Sequence, residues 1–285
     1  MQATKPQLFA YIHKEILPLQ HAFLHVSDLA IQRGYGVFDF FKVQQGQPLF
    51  LNDYLDRFYE SARLMELQVP FSREELVNII FKLIEVNKLE VSGMKMILTG
   101  GYSSNGYDPV EPNLIMIQQP LVLPGQELID KGIRIITHNY VREIPHAKTI
   151  NYSIGIRLIN QIRQRGAADV LYQLGGVVTE FPRCNFFIVK QDDTVVTPAD
   201  NVLLGITRKN VLKLAGRNYK AKTGTITLDD IVQAKEAFLT STTKRILPVV
   251  QVNETVIGNG KPGSVTLSLL KDLITLEEEQ LAVEQ

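Results

Sequence analysis

Two prolines and a glycine fall in the run QQPLVLPGQE, from Gln118 to Glu127, and interrupt helical and strand periodicity alike. The break constrains the fold because 285 residues are more than one hydrophobic core usually fills and fewer than three domains need. The sequence therefore reads as an N-terminal domain over residues 1–118, a linker over 119–129 and a C-terminal domain over 130–285. Hydrophobic residues make up 45% of the chain and charged residues 21%, so it can bury a core, and a disordered, collagen-like or coiled-coil chain is excluded.

Around that break the elements are short and mixed. Residues 37–43 are rich in aromatic and β-branched side chains and predict a strand, followed by a turn at 44–46 and a return strand at 48–51. Asn52 is expected to cap a helix in which Leu55, Phe58, Ala62 and Met65 recur at helical spacing. Ser72 with Glu75 predicts a capping box ahead of a second helix. Strands are expected at 94–99 and 114–118, separated by a loop of Gly, Tyr, Asn and Pro. In the second half the pattern predicts strands at 133–137, 169–173, 177–180, 186–189 and 237–240. Helices are expected over 153–165, from Gly205 to near Gly216, and after Thr227. The fold class is α+β.

Thirty basic residues balance thirty acidic ones, which removes the electrostatic reason to expect nucleic acid or an anionic membrane as partner. The expected ligand is small. One cysteine allows neither an internal disulfide nor a multi-cysteine zinc site, and the histidines at 13, 21, 25, 138 and 146 lack metal-ligand spacing, so no metal is expected. The start MQATKPQLFA has no apolar signal core, and no apolar run approaches the roughly 18 residues that span a bilayer. The expected location is cytoplasmic.

Several residues could carry chemistry. Lys148 is the only formally charged residue in IPHAKTINYSIGI, which suggests an amine that desolvation makes easier to deprotonate, although a solvated surface lysine is the ordinary alternative. Gly205, Ile206 and Thr207 open a predicted helix, where free N–H groups and the positive dipole end suit a phosphate. Thr242 and its hydroxyl neighbours follow an apolar strand, and Arg57 could add a bidentate charged contact or simply pair with Asp53 one turn earlier. Glu180 ends an apolar strand, either facing a cleft or as a surface charge. Cys184 reads as a buried inert thiol.

Five stretches resemble the class IV aminotransferases, the fold type IV enzymes that use pyridoxal 5′-phosphate. They are RGYGVFDFFKV from Arg33, YLDRFYESA from Tyr54, AKTINY from Ala147 with VTEFPRCNFF from Val178, GITR from Gly205, and FLTSTT from Phe238. Their order and spacing follow the family over nearly the whole chain. Its members include D-amino acid transaminase, branched-chain aminotransferase and 4-amino-4-deoxychorismate lyase. The resemblance implies a smaller N-terminal α/β domain, a larger C-terminal pseudo-barrel domain that binds the cofactor, and a homodimer. It further implies that Lys148 joins the cofactor as a Schiff base, that Glu180 pairs with the pyridine nitrogen, and that Tyr152 bonds the phenolic oxygen. Arg57, the N–H groups of Ile206 and Thr207, and Thr242 would hold the phosphate.

The chain also departs from the family. Gly34, Tyr35 and Gly36 stand where many members carry Gly-Asp-Gly, and Arg183 occupies a position where small residues are commoner. The loop GGYSSNGYDP has neither the arginine nor the histidine that D-amino acid transaminases often place there. Substrate carboxylate recognition then falls to Arg33 first, with Lys95 and Thr243 as further candidates. The expected activity is a transaminase with D-amino acid donors; the alternatives are a branched-chain L-amino acid aminotransferase and a 4-amino-4-deoxychorismate lyase.

Overall fold

In the computed structural model, which describes residues 7–283, the chain groups into two units. The first holds the chain up to Val122 together with Ala147–Asn151 and the residues from Gln280. The second holds Leu123–His146 and Tyr152–Glu279.

The first unit contains β1 (Phe9–Ile12), β2 (Glu15–Pro18), α1 (Leu29–Arg33), β3 (Gly36–Gln44), β4 (Gln47–Pro48), α2 (Leu51–Leu64), α3 (Arg73–Asn87), β5 (Val91–Thr99) and β6 (Leu114–Pro120). Its strands form one antiparallel sheet in the order β2-β1-β6-β5-β3-β4. Period-two alternation sends Val37, Asp39, Phe41 and Val43 of β3 to one face, in register with Leu98, Met96 and Met94 of β5. α2 packs on β3 through Tyr54, Leu55, Phe58 and Ala62, and the Tyr54 and Phe41 rings lie 5.8 Å apart. Burial of one such side chain stabilises the unit by about 1.5–3 kcal/mol, so Phe58→Ala should cost about 3–5 kcal/mol. On the opposite face Gly93 lies beneath Phe40, where a Cβ would stand 2.0 Å from the ring's Cζ.

Local chemistry sets the boundaries. The capping box of Ser72 and Glu75 starts α3 as expected. α2 begins one residue before Asn52, after Phe50 in the left-handed region at φ 55°, and the expected return strand shortens to β4. Because β4 pairs only with Val43 and Gln44, the earlier part of that β3 edge is open to other chain. Ala147–Asn151 takes it: Thr149 bridges Val37, Phe38 N–H donates to Lys148 O at 2.8 Å, and Ile150 N–H donates to Gly36 O at 3.1 Å.

The second unit contains α4 (Gln126–Lys131), β7 (Ile133–Asn139), α5 (Ser153–Arg157), α6 (Ile159–Gln164), β8 (Asp169–Leu174), β9 (Val177–Val178), β10 (Asn185–Val189), β11 (Val195–Pro198), α7 (Ile206–Asn218), β12 (Ala221–Gly224), α8 (Leu228–Val232), β13 (Glu236–Ser241), β14 (Arg245–Val252) and β15 (Thr255–Val256). The last helix, α9 (Ser264–Val283), begins here. The sheet runs β12-β11-β10-β13-β14-β7-β8-β9, with β15 on β14. Its two ends nearly meet, because Val178 N–H beside one edge donates to the carbonyl of Ile226, two residues beyond β12 at the other. Inward residues from seven strands, among them Ile135, Leu171, Phe186, Val196, Leu239 and Val249, accordingly share one core. On the outer face Phe187 and Phe238 stack at 4.9 Å and belong to a core with Val211 and Leu214 of α7 and Leu269 and Leu273 of α9.

Three expected elements differ in detail. The helix over 153–165 is two short helices meeting at the buried Leu158. The strand over 177–180 stops at Val178, and Glu180 makes an isolated bridge to Asn185. The expected linker contains the end of β6 and the start of α4. No described helix is long and apolar enough to cross a membrane.

Candidate active site

The first unit positions Arg57 and Lys148. Asp39 lies on the buried face of β3, an acid among apolar neighbours, and the Arg57 guanidinium reaches it from α2 through two bonds, Nε to Oδ2 at 2.9 Å and Nη2 to Oδ1 at 2.6 Å. The Tyr54 ring lies 5.2 Å from the same guanidinium. One turn further along α2, Ser61 Oγ accepts the backbone N–H of Lys148 at 3.1 Å. Arg57 and the Lys148 peptide are thus held by one helix face, since positions four apart are neighbours. The Lys148 Nζ lies 4.6 Å from the centroid of Phe38, and Lys95 Nζ lies 5.7 Å from it. Lys148 is half-buried.

At the edge of this unit the loop 100–112 is met by basic groups from elsewhere. Tyr102 Oη pairs with His13 Nε2 at 2.6 Å and lies edge-on to His25. Arg33 ends α1, is exposed, and donates Nη1 to the carbonyl of Gln32 at 2.8 Å. Its Nη2 would be 3.8 Å from a Cβ placed on Gly106, so it borders the loop.

The second unit positions Glu180, the start of α7 and the turn after β13. Glu180 is 4% exposed. Its Oε1 accepts from Arg142 Nε at 2.7 Å and its Oε2 from Leu203 N–H at 2.9 Å. A nearby guanidinium and an amide donor both favour the ionised carboxylate. Gly205, the N-cap of α7, contributes no side-chain cap to the first helical N–H groups, which include those of Ile206 and Thr207. A Cβ on Gly205 would come within 2.1 Å of Asn185 Oδ1, while Asn185 Nδ2 donates to Leu203 O at 2.8 Å. Directly opposite Asn185, Thr240 on β13 has a buried hydroxyl with no hydrogen-bond partner. These features fit an anion such as phosphate: oriented N–H donors without a side-chain cap, and a spare hydroxyl.

The turn Thr242–Lys244 is clamped on both sides. Lys244 Nζ pairs with Asp169 Oδ2 at 3.0 Å, and Arg245 makes two bonds to Glu277 on α9 at 2.9 and 2.7 Å. Thr243 Oγ1 lies 3.4 Å from Ser241 Oγ. Tyr152 is half-buried at the N-cap of α5. Arg183 is exposed beside Cys184, whose thiol is pushed up by burial. The described residues contain no group of three or more His, Cys, Asp or Glu able to hold a metal ion.

Several residues at these places were not singled out from the sequence, among them Asp39, Ser61, Arg142, Asn185 and Thr240. Only Asp39 leaves a local signal, an acid at an inward position of an apolar strand. Arg142 precedes Lys148 by six residues, and nothing in its neighbourhood announces a partner at position 180.

Residues 36–252 match the sequence profile of the family described as Amino-transferase class IV. A putative branched-chain-amino-acid aminotransferase of Methanocaldococcus jannaschii is 30% identical over 281 residues, covering 93% of this chain and 96% of that protein. The D-alanine aminotransferase of Listeria monocytogenes serotype 4b is 28% identical over 267 residues, covering 90% and 92%. Among solved structures, the branched-chain amino acid aminotransferase of Escherichia coli superposes with a TM-score of 0.88 at 23% identity, covering 95% of this chain and 95% of that one.

Proposed function

Because the chain belongs to the class IV aminotransferases, we propose that it moves an amino group from a D-amino acid such as D-alanine to an α-keto acid. Enzymes of this family use pyridoxal 5′-phosphate. The observation that carries the cofactor assignment is the start of α7, where no side chain caps the first N–H groups, those of Ile206 and Thr207 among them.

When bound, the cofactor supplies an electron sink for the bonds at the substrate Cα. The chain's own groups do the rest. The N–H groups of Ile206 and Thr207, the Thr242 hydroxyl and the Arg57 guanidinium would hold the phosphate, and the orientation of Arg57 is set by Asp39. Glu180 holds a proton on the ring nitrogen as an ionised partner. Tyr152 orients the phenolic oxygen. Lys148 would attach the cofactor, and its amine would serve as general base and acid for the proton at the substrate Cα.

The donor reading rests on the loop 100–112. It carries no arginine or histidine of its own, yet Arg33 borders it and His13 bonds Tyr102 within it. Arg33 is the proposed carboxylate anchor, since a guanidinium can grip a carboxylate with two parallel bonds. Lys95 and Thr243 are the further substrate-side candidates. Branched-chain L-amino acids are the second reading, favoured by the identity to the Methanocaldococcus protein. The same proposal includes a homodimer, which sedimentation tests.

Half-reactions of the purified enzyme with a panel of D- and L-amino acids test the donor. Conversion of D-alanine faster than L-leucine is the expected result, and the reverse order overturns the D-amino acid reading. Pyruvate released from 4-amino-4-deoxychorismate without any keto acid present would instead identify a lyase. Glu180→Gln should slow the half-reaction far more than it weakens cofactor binding.

A further inference from the structure

Arg142 stands out among the charged groups with no assigned task. Its side chain is 10% exposed, and the ion pair with Glu180 has both ends withdrawn from water. Nε donates to Glu180 Oε1 at 2.7 Å, while Nη2 donates to the carbonyl of Pro145, three residues before Lys148 in the chain. Glu180 receives a second bond from Leu203 N–H, two residues ahead of Gly205. The carboxylate is therefore fixed through both oxygens, one to each of two segments that lead into proposed cofactor-binding residues.

A second buried guanidinium lies in the same electrostatic neighbourhood. Arg208 on α7 is 6% exposed and donates to Thr197 Oγ1 at 3.4 Å and Pro198 O at 2.9 Å. Burial depresses its pKa, and the charge of Glu180 opposes that shift. One carboxylate thus feels two buried cations, and of the two it is Arg142 that bonds it directly. A carboxylate moved out of water at this depth is costly unless it is paired and hydrogen-bonded.

We propose that Arg142 is a positioning residue, which keeps Glu180 ionised and aimed while tying it to the peptide that leads to Lys148. This assignment rests on the reading of Glu180 as the partner of the cofactor's ring nitrogen. Without the guanidinium, Glu180 would gain a proton or turn, and its hold on the ring-nitrogen proton would weaken. A lysine could restore the charge but not the two-pronged geometry, because its ammonium is a single point on a flexible stem.

The test uses the holoenzyme loaded with pyridoxal 5′-phosphate labelled with ¹⁵N in the ring. The parent should show a protonated ring nitrogen. In Arg142→Met the resonance should move toward the unprotonated position, and kcat for the amino-donor half-reaction should fall about tenfold or more with donor KM within about twofold. Arg142→Lys should lie between parent and Met variant in both readouts, and it carries the test alone should the Met variant not fold. An unchanged resonance and unchanged kcat, with only a lower melting temperature, would make Arg142 merely structural and overturn the proposal. A parent that takes up no cofactor, or carries it without Glu180 affecting the ring nitrogen in Glu180→Gln, would overturn the underlying reading and this proposal with it.

Discussion

The amide of Phe38 donates to the carbonyl of Lys148 at 2.8 Å, and the ammonium nitrogen of that lysine stands 4.6 Å from the centroid of the phenylalanine ring. Backbone bonds from Phe38 and Ile150 and the Ser61 hydroxyl therefore place this lysine. Lys148→Ala should keep every main-chain bond of the Ala147–Asn151 segment and lose about 1 kcal/mol from the cation–π contact. Its thermal melt should stay close to that of the parent while turnover disappears. In the parent, borohydride should fix the cofactor onto Lys148. Recovery of the reduced cofactor on another lysine by peptide mapping would remove this residue from its role.

Gly205→Ala probes the anion cradle. The glycine has an ordinary helical-entry backbone, φ −63° and ψ 140°, so the substitution introduces no backbone strain. The cost comes from contact, since the new methyl would stand 2.1 Å from Asn185 Oδ1 and that amide is held by Leu203 O. Overpacking of this kind costs about 1–3 kcal/mol, and the displaced helix start should weaken cofactor binding. Adding Asn185→Ala removes the obstructing atom and should recover part of the affinity, measured by fluorescence titration with pyridoxal 5′-phosphate.

The ion pair of Lys244 with Asp169 should make stability fall in alkali. Burial alone would depress the ammonium, but Cys184 and Asp169 outweigh it and hold Lys244 above the ordinary lysine value of 10.5. A pKa raised in the folded state contributes stability that is complete below the unfolded value and is lost as pH climbs through the folded one. Chemical denaturation at pH 8 and pH 11 should show the loss. Lys244→Met leaves a buried carboxylate uncompensated and should cost about 3 kcal/mol at pH 8, with a flatter alkaline profile.

Arg33→Ala tests the donor anchor. The residue is exposed and donates to the neighbouring carbonyl of Gln32, so its loss should change stability by less than about 0.5 kcal/mol. Donor KM should rise strongly while cofactor affinity stays constant, since the proposed contact is to substrate alone. Steady-state kinetics with D-alanine at saturating keto acid would show this, and an unchanged KM would return Arg33 to an ordinary surface position.

Local pattern was enough wherever the physics is local. The capping box at Ser72 and Glu75, the helical spacing of Leu55, Phe58 and Ala62, and the aromatic and β-branched content of residues 37–43 are short-range signals, and the helices and strand appear where the sequence places them. The helix start at Gly205, Ile206 and Thr207 was readable for the same reason, because a helix boundary is set by consecutive residues. The family motifs added roles that no single segment could supply.

Partnerships across the chain were decided by tertiary structure alone. The sequence offered Arg57 a phosphate contact or a pairing with Asp53 one helical turn away, with no sign that its partner is Asp39, which packing of α2 on β3 brings to the guanidinium through two bonds. Glu180 read equally as a surface charge or a cleft residue until Arg142 and Leu203 met its two oxygens. Lys148 lies beyond the central break in sequence, yet its segment completes the edge of β3, because an open strand edge takes backbone bonds from whatever chain the fold delivers to it. A strand edge has no sequence code for its partner, and a buried charge has none for its counter-ion, so both are settled only when the chain has folded.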